Sequence, residues 1–340
     1  MASTSTVRLA ICTSSLGKSQ VGHTIETKLN AAKRHGFEGV EVAMECLECH
    51  AESPAFASLG SRADRLKAAA KDIGEMASDL SLEIIALNPL GALDGLADAG
   101  DFKERLVEAD LWLQLTDLLN TPILQTTSAV YPLQKALTSD PKRIADNLRT
   151  LCQMAQKYDK LVAYEAISWG INTNTWEQAR DVLHLVDMPN IRYCLDTFHI
   201  AAKVAGDPFN QERPLNPAGL QELTGSLDEL RRSIKPSEIG YFQLSDAAVA
   251  DIRQRGYPST DFDAPPFMVQ SRNCRLFPCE PQHGGILPVA EVANAVFIQR
   301  LGFHGGVPCR PLDERRFYSG LVGATGCTVV GEAEERMFWP

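Results

Sequence analysis

The chain has 340 residues, 44% hydrophobic and 22% charged, a balance that can bury a large core without disulfide staples. Its formal net charge of −10 excludes the extended positive field that nucleic-acid phosphates require, though a local basic pocket could still take a small anion. No run approaches the ~18 consecutive apolar residues of a membrane span, and nine cysteines without framework spacing imply reduced thiols and a cytoplasmic setting.

Short apolar runs alternate with amphipathic stretches along the chain. Leu9–Cys12 predicts a first strand and Ile25–Arg34 a helix, stopped at Gly36. A second strand covers Gly39–Ala43. Cys46-Leu47-Glu48-Cys49-His50 then spells a haem-attachment pattern, which without an export signal before it is read as coincidence. A helical stretch from Arg62 to Leu80 precedes a third strand, Glu83–Leu87. Phe102, Leu106, Ala109 and Leu113 share one helix face, with Asp101 as the expected N-cap. Ile123–Gln125 is a short fourth strand. Ser139-Asp140-Pro141 opens the next helix, whose buried stripe is Ile144, Leu148, Leu151 and Ala155. Leu161–Glu165 is the fifth strand, and Trp176, Ala179, Leu183 and Val186 mark the helix behind it. Ile191–Leu195, a helix near Leu220–Ile234 and Ile239–Gln243 follow. A helix from Pro288 to Leu301 and an eighth strand, Gly306–Cys309, complete the pattern.

Eight strand–helix units without a glycine-rich phosphate loop predict an α/β fold, a (β/α)8 TIM barrel, over an open doubly wound sheet. No linker divides the chain, so residues 1–316 are expected to form a single barrel domain, with 317–340 an irregular, divergent C-terminal tail. The stretch from Ser245 to Leu287 lacks clear periodicity and carries five prolines, a long loop after the seventh strand.

Barrel enzymes gather their chemistry at the C-terminal ends of the strands. Glu165, Asp196 and Gln243 close the fifth, sixth and seventh strands and should face one mouth. Two carboxylates and an amide oxygen are hard ligands suited to a divalent cation. Taken singly, each could merely cap its strand end against a loop amide. His199 follows just past the sixth strand and could move protons near neutral pH, or hydrogen-bond the barrel rim. Glu41 on the second strand could also point into the mouth, while Glu45 reads as a solvated loop residue. In the long loop, Arg272, Asn273 and Arg275 could hold a carboxylate or phosphate, or tie the loop down by ion pairs.

With these residues in place, the chain resembles the fungal 3-dehydroshikimate dehydratases, within the sugar phosphate isomerase/epimerase-like (xylose isomerase-like) barrels. The likeness runs through Leu9-Ala-Ile-Cys-Thr-Ser-Ser-Leu-Gly17, Tyr164-Glu165, Cys194-Leu-Asp-Thr-Phe198, Ala205-Gly-Asp-Pro208, Phe242-Gln243, Ser271-Arg-Asn-Cys-Arg-Leu-Phe277 and Leu287-Pro-Val289. The resemblance implies a hydro-lyase of quinate and shikimate breakdown that forms protocatechuate. It also implies a divalent metal held by Glu, Asp, Gln and Glu at four strand ends. Three of these fall on Glu165, Asp196 and Gln243; the fourth falls on Arg310. Around Asn88–Leu96 the chain also departs, with Leu90, Ala92 and Leu93 where similar enzymes carry aromatic residues and a histidine.

The implied roles are proton movement by His199 or Glu41 and capture of the substrate carboxylate by Arg272, Arg275 and Asn273. The cofactor is Mg²⁺, Mn²⁺ or Co²⁺ where the site is competent, or none where Arg310 replaces it. The expected partner is a small-molecule carboxylate, with neither nucleic acid nor membrane; a homo-oligomer is left open. Two other readings follow from the departures: a metal-independent isomerase or cyclase of a biosynthetic pathway, and a non-catalytic ligand-binding descendant.

Overall fold

The computed structural model describes residues 8–130, 135–250, 264–278 and 281–300. The expected eighth strand at 306–309, Arg310 and the tail from 317 lie outside the described residues.

Seven parallel strands stand side by side in chain order: β1 (Ala10–Cys12), β2 (Gly39–Ala43), β3 (Glu83–Leu90), β4 (Ile123–Thr127), β5 (Leu161–Glu165), β6 (Ile191–Asp196) and β7 (Ile239–Gln243). Between them run α1 (Ile25–Arg34), α2 (Met44–Ala51), α3 (Arg62–Asp79), α4 (Ala99–Leu118), α5 (Pro141–Gln156), α6 (Trp176–Val186), α7 (Thr197–Ala205) and α8 (Pro217–Ser233). Beyond β7, a small antiparallel pair, β8 (Asp246–Ala247) and β9 (Arg275–Leu276), flanks α9 (Pro266–Cys274), and α10 (Val289–Arg300) follows.

Local chemistry explains most element boundaries. Asp140 accepts from the Lys142 N–H at 3.0 Å, and Pro141 opens α5. Ile144, Leu148, Leu151 and Ala155 then bury the predicted stripe. The cap of α4 is Asp98 rather than Asp101: its side chain accepts from the Asp101 N–H at 2.9 Å, so the helix starts one turn earlier than the apolar period suggests. Gly36 takes φ +81° directly after α1, the left-handed stop expected of it.

Alternation along the strands divides the core. Val40, Val42, Leu124, Val162, Tyr164, Tyr193 and Leu195 face the helices in the main apolar cluster. Ala86, Ile123, Ala163, Cys194 and Tyr241 form a second cluster contributed by consecutive strands, the packed interior layer. The sheet curls on itself, because the Tyr241 hydroxyl on β7 donates to Glu41 on β2. Three helices were not foreseen. α2 and α7 follow their strands without a loop, and α9 lies inside the stretch that lacked periodicity.

Candidate active site

Inward parity carries polar side chains to the C-terminal ends of the strands: Glu41 on β2, Gln125 on β4, Glu165 on β5, Asp196 on β6, Tyr241 and Gln243 on β7. Pairing of Asp196 with Gln243 across β6 and β7, and of Thr127 with Glu165 across β4 and β5, sets them at similar heights.

Asp196 has three tasks. It ends β6, it caps α7 by accepting from the Phe198 N–H at 2.6 Å, and it accepts from Arg275 Nη1 at 2.8 Å. Ser245 adds its hydroxyl to the same carboxylate at 3.0 Å. Burial pushes the Asp196 carboxyl up, but Arg275 and His199 beside it and these hydrogen bonds outweigh burial and hold it below the usual aspartate range.

Because α7 begins at once after β6, His199 sits one turn above Asp196 with its ring turned back over the strand ends. Its Nε2 is 3.4 Å from Glu165 Oε1 and 3.9 Å from Asp196 Oδ2. The Ser168 N–H meets Nδ1 at 3.1 Å. A backbone N–H can only donate, so this contact favours the tautomer with the proton on Nε2, facing Glu165. Burial depresses the imidazole to about 3, against the opposing pull of Asp196. His199 is therefore neutral at neutral pH. Glu165 is pushed well above its usual range by burial and by the Asp196 charge, and accepts from Gln125.

Glu41 forms a second pole. Gln243 Nε2 donates to both its oxygens at 3.0 Å, and the Tyr241 hydroxyl donates to one of them. Burial raises its carboxyl, with Tyr241, Gln243 and Asn88 opposing. Since the Gln243 amide nitrogen is spent on Glu41, its oxygen is the end left to serve as a ligand.

Arg275 closes the mouth. It lies at the start of β9, with its guanidinium carbon 4.2 Å from the centre of the Phe198 ring. Nη1 also donates to Ser245 Oγ at 2.5 Å, and Nη2 stands 3.2 Å from His199 Nε2. Asp246 anchors the hairpin: its Oδ1 accepts from the N–H groups of Ala247, Ile286 and Leu287 at 2.7, 3.1 and 2.9 Å. Gly285 passes so close that a Cβ there would meet Asp246 Oδ2 at 2.3 Å.

The expected residues thus divide. Glu165, Asp196, His199 and Arg275 converge directly, and Glu41 with Gln243 forms the adjoining pair. Arg272 is exposed at the end of α9, and Asn273 donates to the Val269 carbonyl at 2.9 Å, so neither reaches the strand-end cluster in this arrangement. Glu45 is exposed as expected, although on a helix. Leu90 and Leu93, where the chain departs from similar enzymes, are fully buried in the main core. Gln125, Tyr241 and Ser245 were not singled out from sequence; for the first two, polarity at an inward strand position was the available signal.

One ligand atom each from Glu165, Asp196 and His199 lie within 4.8 Å of one another, all buried. Two hard carboxylates and an imidazole fit a divalent cation. Without one, Arg275 supplies the compensating positive charge. None of the described helices is long and apolar enough to cross a membrane.

Residues 29–305 match a family model described as "Xylose isomerase-like TIM barrel". A protein of Neurospora crassa named 3-dehydroshikimate dehydratase is 32% identical over 326 residues, spanning 92% of this chain and 88% of that protein. A Pseudomonas aeruginosa protein of the same name is 31% identical over 54% of this chain and 26% of its own length. Among solved structures, a xylose isomerase-like TIM barrel/4-hydroxyphenylpyruvate dioxygenase fusion protein superposes with a TM-score of 0.62 and 22% identity, covering 86% of this chain and 37% of that one. IOLI protein with a bound zinc atom gives a TM-score of 0.59 and 17% identity over 88% and 87% of the two chains. These two structures show the shared fold.

Proposed function

This chain belongs to the xylose isomerase-like TIM barrel family, and on that premise we propose that it is a hydro-lyase that converts 3-dehydroshikimate to protocatechuate. The observation that carries the reading is the convergence of Glu165, Asp196, His199 and Arg275 at one barrel mouth, in a chain so similar along its length to a fungal protein named for that activity.

The reaction removes a proton beside a ketone and expels a hydroxyl as water, and the ring then enolises to the aromatic product. Negative charge builds on the ketone oxygen as the proton leaves, and a positive charge must stand there. A divalent cation held by Glu165 and Asp196, with the Gln243 amide oxygen alongside, would supply that charge as a Lewis acid. We assign Mg²⁺, Mn²⁺ or Co²⁺ to this place from the ligand chemistry.

His199 and Glu41 move the protons. His199 is neutral and keeps Nε2 against Glu165, so a proton can pass between imidazole and carboxyl without leaving the site. Glu41 has a raised carboxyl held in place by Tyr241 and Gln243, which suits it to accept a proton nearer neutrality than a free glutamate does. Arg275 receives the substrate carboxylate. In the favoured tautomer its Nη2 and the His199 Nε2–H are two donors facing each other at 3.2 Å, a contact that an entering anion would relieve. Arg272 and Asn273 border the same segment and could extend that contact only after local rearrangement.

We place this reaction in a single domain of residues 1–316 and in the cytoplasm. The test is incubation of purified protein with 3-dehydroshikimate and each of Mg²⁺, Mn²⁺ and Co²⁺, following protocatechuate absorbance. Product should form with at least one ion, and its absence with all three refutes the assignment. A metal-independent reaction on the same barrel draws support from one observation, that Arg275 already neutralises Asp196. Elemental analysis separates the two, since a stoichiometric, tightly held metal excludes it. Arg310→Glu tests the fourth expected ligand position directly: a gain in metal affinity would mark 310 as part of the cradle.

A further inference from the structure

The Cys46–Cys49 pair plays no part in this chemistry, yet it faces a buried amine. Lys28 on α1 is 1% exposed, and its Nζ lies 3.1 Å from Cys46 Sγ on α2 and 2.9 Å from Ser19 Oγ. Cys46 is itself 2% exposed. Among the described residues no carboxylate lies within ion-pair distance of Lys28. Buried lysines are ordinarily paired with an acid, because taking an ammonium out of water is costly. Here the neighbours are a thiol and a hydroxyl. Cys49, one turn further along α2, lies close enough for its thiol to feel Lys28, Cys46 and the Ser19 side chain.

The surroundings hold the pair in register. The Ala43 N–H donates to Thr13 Oγ1 at 3.0 Å and fixes the start of α2, while Thr24 caps α1 through the Thr27 N–H. Sulfur and nitrogen therefore meet at contact distance on two anchored helices, both almost wholly buried.

We propose that Lys28 and Cys46 are an oxidation site, joined by dioxygen through a single bridging oxygen into a sulfur–oxygen–nitrogen crosslink. The balance is one thiol, one amine and one O₂ giving Cys46–S–O–NH–Lys28 and one H₂O. The S–H bond, one N–H bond and the O=O bond break; S–O, N–O and two O–H bonds form. Sulfur and nitrogen together give up four electrons, and dioxygen takes them, one of its atoms becoming the bridge and the other water. The same count holds from the thiolate–ammonium pair. A direct S–N bond would demand that the two atoms close well below their 3.1 Å contact, whereas an inserted oxygen spans most of that gap. The crosslink would tie α1 to α2 directly behind the strand that carries Glu41, and reduction would release it.

Mass spectrometry of the whole protein after air exposure, digested with trypsin under non-reducing conditions, tests this. Oxidised Lys28 resists cleavage, so residues 19–33 should appear joined to residues 35–62, with a gain of about 14 Da for one oxygen in and two hydrogens out. The species should vanish on reduction, persist in Cys49→Ser and be absent in Lys28→Arg. Normal cleavage after Lys28 with Cys46 fully alkylatable would overturn the proposal. So would Cys46 recovered only as a disulfide with Cys49, about 2 Da lighter, or as a sulfinic acid. The wild-type peptides decide the matter even if the lysine variant fails to fold.

Discussion

Arg275 shows how much energy one side chain can hold in this mouth. It is 15% exposed, its partner Asp196 is 3% exposed, and Glu165 lies beside them with its own charge suppressed by burial. Removing one member of a buried pair leaves the other uncompensated, which costs about 3–5 kcal/mol. Arg275→Met should therefore lower the free energy of unfolding by about 3 kcal/mol in urea titrations. Mn²⁺ should raise its melting temperature more than that of the wild type, since the cation would then meet two carboxylates without a competing guanidinium. An equal shift in both proteins would show that Arg275 and the ion do not share a place. From sequence, Arg275 could be recognised as an anion holder, because arginine in a loop of this type reads that way. Its attachment to Asp196 could not, because the β8–β9 hairpin that delivers it is two residues long on each side and leaves no periodic trace. The carboxylates were legible for the opposite reason: each ends a clear apolar strand at the same parity.

Short connecting elements decide where such side chains arrive. Ala247, Ile286 and Leu287 all donate to Oδ1 of Asp246, so a single oxygen joins β8 to the segment before α10. Asp246→Ala strands the buried Ala247 and Leu287 N–H groups, while the Ile286 N–H keeps the Ala247 carbonyl at 3.1 Å, and should cost about 2 kcal/mol; Asp246→Asn keeps the accepting oxygen and should cost less. If the hairpin positions Arg275, the alanine variant should also raise KM for the carboxylate substrate more than it lowers kcat. A fall in kcat alone would assign Asp246 a different role. Asp94 is the counterpart at the end of the loop after β3, where it accepts from the Ala129 N–H at 2.7 Å and from the Tyr164 hydroxyl at 2.7 Å. Burial raises its carboxyl from 3.8 to about 6. The folded protein thus keeps a proton that the unfolded chain releases, and the free energy of unfolding falls as pH rises between those values. A shift of about two pH units corresponds to about 3 kcal/mol. Relative to wild type, Asp94→Asn should gain stability progressively from pH 4 to pH 6 and hold a constant offset above it; a pH-independent difference in urea unfolding would show that Asp94 does not titrate in this window.

At the scale of the molecule, seven of the eight expected strands fall in the expected order, because each alternates with a helix whose apolar face repeats at 3.6 residues. Helices α2 and α7 escaped the same reading because they are short and lie flush against their strands, and buried residues surround α7 on nearly every side, which erases the period. Closure was legible only by inference from the count of units, since its contacts join residues far apart in the chain. The Tyr241 hydroxyl and the Gln243 amide reach Glu41 across 200 and 202 residues. Contacts of such separation carry the largest loop-closure entropy and are expected to form after the local strand–helix units. Tyr241→Phe leaves the ring in the interior layer but removes one donor from a buried carboxylate, at a cost of about 1–3 kcal/mol. Because the contact is late, that cost should emerge in the unfolding rate, accelerated roughly 5- to 160-fold, with refolding changed little. Stopped-flow unfolding and refolding in urea would distinguish the alternatives: a loss confined to the refolding limb would mean that β2 and β7 meet early, and that the barrel closes before its helices have finished packing.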